Sequence, residues 1–130
     1  MTPVQLVERD LDRLEGLWDQ GLSDAYHAYL ETVAAYASAA QPRLALAAAL
    51  VEVGLRLQGL GGRAAAAPTL LMGDLCLARS ARLLADTAPQ SLQIAFARAI
   101  EDLSSAAAAG RSVSSPQTRE LLVRALETSS

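Results

Sequence analysis

The run PTLLMGDLCLARSARLLAD, Pro68 to Asp86, decides how the chain is read. Leu70, Leu71, Leu77, Ala78, Ala81, Leu84 and Ala85 follow the i, i+3/i+4, i+7 spacing of a helix. Met72, Leu75, Cys76 and Leu83 fill most of the remaining circumference. Asp74, Arg79 and Arg82 are the charged residues that it carries inside. A helix apolar on nearly every side is expected to be buried, so this run is expected to be the central helix, with the others packed around it.

Outward from that run, prolines punctuate the chain. Pro3, Pro42, Pro68, Pro89 and Pro116 each stand where a helix would begin, since the missing N–H has no partner in a first turn. Thr2 to Gln5 reads as a capping box, and Ser115 as the cap before Pro116. Upstream, Val4, Val7, Leu11, Leu14 and Trp18 form a stripe that Leu22, Ala25, Tyr29, Val33 and Tyr36 continue. Gly21-Leu22-Ser23-Asp24 interrupts it, Gly21 as a stop and Ser23 as a cap. Two helices at about 3–19 and 24–40, or one kinked helix, are expected. Pro42 to Leu57 forms a further, largely buried helix, whose Glu52 and Arg56 stand at i, i+4 as a surface ion pair. Three glycines among Gly59, Leu60, Gly61 and Gly62 open a loop expected to be mobile through Ala67. Downstream, Pro89 to Ala109 turns Leu92, Phe96, Ala99, Ile100 and Leu103 inward, and Gly110 suits a C-cap. Pro116 to Thr128 places Leu121, Leu122, Ala125 and Leu126 on one side. No segment alternates with period two, so the fold class is all-α. A bundle of five to six helices is expected, in one domain spanning 1–130.

The chain has 130 residues, 52% of them hydrophobic and 4% aromatic, with a net charge of −3. That suffices for one folded core. All eleven cations are arginine, but they form no basic cluster of the kind that nucleic acid requires. No apolar run reaches the eighteen or so residues of a membrane span. The N-terminus is too charged for a signal peptide, so the expected setting is cytoplasmic. One cysteine excludes an internal disulfide.

Catalytic sets are hard to find. His27 is the single histidine and has no cysteine or second histidine to complete a metal site. Cys76 sits among leucines and reads as a small core residue, with only Arg79 as a neighbouring positive charge. The glycines at 59–62 lack the context of a phosphate loop. Asp10 and Asp12 point roughly 200° apart on a helix and cannot share a metal; Glu101 and Asp102 diverge too. Asp74 reads as a first-turn acid or a core polar group, or else as an interior contact to Arg79, Arg82 or a partner chain.

Gly73-Asp74-Leu75, with Leu77-Ala78-Arg79 and Leu83-Leu84, resembles a helix of the trans-isoprenyl diphosphate synthases (polyprenyl synthetases), which reads G-D-x-L-L-A-x-A-x-x-L-L. Gln41-Pro42-Arg43-Leu44 is similar to that family's G-K-x-x-R-P-x-L-x-L-L, with Pro and Arg exchanged and the Gly-Lys missing. Pro68-Thr69 is similar to the end of its R-R-G-x-P-T, and Ile94 to Gly110 to the helix that follows. The resemblance covers about 70 residues and implies an isoprenoid-synthase-like partial fold.

The departures define what function the resemblance implies. Family enzymes are more than twice this length and carry two D-D-x-x-D motifs. Those motifs gather oxygen ligands around the magnesium that holds an allylic diphosphate. This sequence has no Asp-Asp pair. The chain is therefore expected not to be an enzyme and to bind no cofactor itself, magnesium belonging to a partner catalytic subunit. The implied role is a non-catalytic small subunit of a heteromeric synthase, one that stabilises the catalytic subunit and influences product chain length. Asp74, Arg79, Leu75, Ala78 and Ala81 are the expected partner-contact or core polar positions. Two rival readings are a helical scaffold that associates with itself and a carrier of apolar ligands.

Overall fold

The computed structural model describes residues 21–59, 67–111 and 113–128. Among these there are five helices and no strand: α1 (Ser23–Leu30), α2 (Gln41–Leu57), α3 (Ala67–Thr87), α4 (Gln90–Ala108) and α5 (Ser115–Thr128). The all-α expectation holds, and about 80% of the described residues are helical. The helix expected at 3–19 and most of the loop expected to be mobile, residues 60–66, lie outside the described residues.

The central helix is α2 and not the Pro68–Asp86 run. Eleven of the seventeen residues of α2 are buried, and α1, α3 and α5 all pack on it. Only Glu52 interrupts Leu44–Leu55 with a charge. Its alanines 45, 47, 48 and 49 are fully buried, and such small side chains let neighbouring helices close in from several sides. The run in α3 instead has an open face. Leu70, Leu71, Asp74, Ala78, Ala81, Arg82 and Ala85 are exposed there. Asp74, Arg82 and Asp86 are exposed charges of that run, and charged side chains keep their face in water.

The first described helix is shorter than the stripe through Tyr36 suggests. It ends at Leu30, where Thr32 places both its N–H (3.0 Å) and its Oγ1 (2.9 Å) on the carbonyl of Tyr29. Such local bonding competes with the helical ladder. Residues 31–40 then run as turns. Val33 is buried, and the Tyr36 hydroxyl donates to the carbonyl of Leu126 on α5, 2.6 Å away. Ser23 lies inside α1 rather than capping it.

The later helices follow the sequence closely. In α4, Leu92, Phe96, Ala99 and Leu103 are buried. Gly110 has φ +79° and stops α4 as expected, with the N–H of Arg111 returning to the carbonyl of Ala106. In α5, Leu122, Ala125 and Leu126 are buried. Its cap is Ser114, one residue earlier than the sequence suggests. Ser114 Oγ accepts from the N–H of Gln117, whose Oε1 accepts from the N–H of Ser114. That is a reciprocal capping box.

Candidate functional site

Two constellations carry the polar structure of the described residues. The first is where α2 crosses α3. Gly54 and Gly73 face each other so closely that a Cβ on Gly73 would stand 2.9 Å from the carbonyl oxygen of Gly54. Beside them the Gln58 side-chain amide donates to Asp74 Oδ1. Further along α3, the buried Ser80 hydroxyl donates to the carbonyl of Ala47 at 2.8 Å. Gly73 and Asp74, the centre of the motif read from the sequence, thus hold α3 against α2.

Asp74 is exposed and bonded to Gln58, so it makes no interior contact to Arg79 or Arg82. Arg82 instead pairs with Asp86 at 3.2 Å, both well exposed. Arg79 is half-buried, and its Nε is shielded without a hydrogen-bond partner among the described residues. Leu75 is half-buried against the core, whereas Ala78 and Ala81 are exposed. The five positions therefore do not converge on one point. Asp74, Ala78 and Ala81 share the open face of α3; Leu75 and Arg79 flank it.

The second constellation joins α1, α2 and α5. Glu52 is only 3% exposed. Arg119 Nε and Nη2 each donate to it at 2.9 Å, to Oε1 and Oε2 respectively. The Tyr29 hydroxyl donates to Oε1 at 3.0 Å. The guanidinium also lies 5.8 Å from the centre of the Tyr29 ring and 3.6 Å from Asp24 Oδ2. Glu52 thus turns inward to α5, and the surface pair expected with Arg56 is not how its charge is met. An i, i+4 spacing registers only what a helix offers itself, whereas Glu52 sits on the face that α5 covers.

Electrostatics follow from that packing. Burial, then the charge of Glu52, raises the Tyr29 hydroxyl well above its ordinary range. The hydrogen bonds to Glu52 hold the Arg119 guanidinium charged even more firmly than usual. With its charge met by Glu52 and Asp24, Arg119 acts as a structural clamp between helices. A shallow groove of about 550 Å³ runs beside it along α5, lined by Pro116, Arg119, Glu120, Val123, Arg124 and Glu127. Its carboxylates are Glu120, which pairs with Arg124 at 2.9 Å, and Glu127.

Cys76 is fully buried, and burial pushes its thiol up to about 11, which suits the core role read from the sequence. His27 is exposed, with Nδ1 2.7 Å from the carbonyl of Ser23. No three His, Cys, Asp or Glu side chains among the described residues are grouped to hold a metal ion. No described helix is long and apolar enough to cross a membrane. Sequence reading missed the Glu52–Arg119–Tyr29 cluster. Its one signal was a lone acid within an apolar helix. No family model matches the chain, and neither a curated protein nor a solved structure is similar to it.

Proposed function

We propose that the chain is a non-catalytic small subunit of a heteromeric trans-prenyl diphosphate synthase. Its role would be to stabilise the catalytic subunit and to influence product chain length. The observation that carries this reading is the use made of Gly73 and Asp74. The residues that resemble the family helix serve to seat α3 on α2 through Gly54 and Gln58. The sequence, meanwhile, has no Asp-Asp pair to gather magnesium around a diphosphate. A helical body without the ionising machinery fits a supporting subunit better than an enzyme.

The test is recovery of the tagged full chain from its source cell, with identification of what accompanies it. A full-length partner bearing D-D-x-x-D motifs is the expected companion. Mixing the two should change the length of the prenyl chain made from isopentenyl and allylic diphosphates. Recovery without any prenyltransferase-like partner, or turnover of these diphosphates by the chain alone, overturns the reading. The first of those outcomes would leave a helical scaffold.

A further inference from the structure

The open face of α3 is self-complementary about Ala78. Asp74 lies four residues before Ala78 and Arg82 four residues after it, and all three are exposed on one i±4 row. Leu71 and Ala85, seven residues before and after, repeat the symmetry in size, large against small. Leu71 is 68% exposed.

We propose that this face joins two copies of the chain in a two-fold dimer, their α3 helices crossing antiparallel at Ala78. A two-fold contact sets each residue before the axis against the matching residue after it in the other copy. A crossing of about −50° lays the two i±4 rows alongside one another. Asp74 then meets Arg82 of the second copy, and the pair occurs twice. Leu71 covers Ala85 of the second copy, and the alanines at 78 and 81 let the backbones approach. A parallel arrangement would set Asp74 against Asp74 and Arg82 against Arg82, so the charges select the antiparallel one. Arg82 gives up little in turning outward, because its bond to Asp86 is an exposed i, i+4 pair. Burial of Leu71 drives the contact, while the charges set its register. The inference goes beyond the subunit role and does not depend on it.

Sedimentation of the pure full chain over a wide concentration range tests it. The wild-type chain should dimerise reversibly. Ala78→Arg puts a bulky charge on the axis at an exposed position, and should leave helicity unchanged while yielding monomer. Asp74→Arg and Arg82→Asp should each weaken the dimer by more than about tenfold, because each creates two like-charge contacts. The double variant should regain dimerisation. A wild-type chain that stays monomeric, a dimer that survives Ala78→Arg, or a double variant no better than the singles overturns the inference. A monomer that still co-purifies with a prenyltransferase would sink this proposal and spare the subunit role; a dimer that recovers no such partner would do the reverse.

Discussion

Arg119 on α5 grips Glu52 on α2 through two parallel hydrogen bonds of 2.9 Å, across 67 positions of sequence. Glu52 is almost wholly removed from water, whereas the Arg119 side chain is 36% exposed. The asymmetry decides what each deletion costs. Loss of the arginine strands a buried carboxylate, and loss of the negative charge leaves an arginine that water still reaches.

Arg119→Met should therefore destabilise the fold by about 3 kcal/mol, since an unpaired buried charge is among the costlier defects. Glu52→Gln should cost about 1–2 kcal/mol, because the amide oxygen still accepts from Tyr29 or Arg119. The double variant should lose clearly less than the sum, since removing Arg119 strands no charge once the carboxylate has become an amide. Urea unfolding of the four proteins measures the coupling. Additive losses would mean that the two residues act independently.

Alkaline pH should weaken the fold, and Cys76 should start the decline. Burial raises its thiol from the ordinary 9.0 to about 11. Below 9.0 the folded and unfolded chains both hold the proton, and the contribution is fully present. Between 9.0 and about 11 only the unfolded chain releases it, so stability falls as pH rises. Tyr29, also raised above its ordinary 10.0, extends the loss in the same direction at higher pH. Cys76→Ala should be less stable at neutral pH yet show a shallower decline through that window. An unchanged slope in urea midpoints would exclude Cys76 as the source.

The helices themselves were legible because proline and glycine mark their ends chemically. The start of α2 at Gln41 and the stop of α4 at Gly110 follow from single residues. The order of burial was less legible. Leu44–Leu55 and Pro68–Asp86 are both long apolar runs, but the first carries one charge, Glu52, and the second four, Asp74, Arg79, Arg82 and Asp86. Partnerships across helices were not legible at all. Glu52 offered Arg56 at the right spacing, and only the approach of α5 shows that Arg119 takes it. Asp74 has Arg79 and Arg82 near it in sequence, while its partner, Gln58, directly follows the preceding helix.

Removal of the α5 cap should cost about 1 kcal/mol. Ser114 and Gln117 satisfy each other's backbone N–H groups at 3.2 and 2.9 Å. Ser114→Ala frees the N–H of Gln117 and should lose about that much stability. Gln117→Ala leaves the serine cap in place and should lose less. Thermal midpoints of the two variants, read by circular dichroism, give the order. A reversed order would show that the reciprocal bond from Gln117 matters more than the serine hydroxyl, and equal losses that the two matter alike.

The crossing of α2 and α3 sets two alanine effects against each other. In a helix interior, Gly→Ala gains about 1 kcal/mol from reduced backbone freedom. Overpacking costs about 1–3 kcal/mol. A Cβ on Gly73 would stand 2.7 Å from Gln58 Cγ and 2.9 Å from the Gly54 carbonyl oxygen. Gln58 can swing aside, at the loss of its bond to Asp74, but the carbonyl moves only if the helices separate. A Cβ on Gly54 would meet the Gly73 carbonyl oxygen and Cys76 Cβ at 3.1 Å, a milder crowding. Gly73→Ala should therefore be destabilising by about 1–2 kcal/mol net, and Gly54→Ala by less, since the gain in helix propensity offsets more of a smaller clash. Urea midpoints compare the two directly. If Gly73→Ala instead stabilised the chain by the full helix-propensity gain, the close approach that seats α3 on α2 would not exist in solution, and the structural role assigned to the Gly73-Asp74 pair would fall with it.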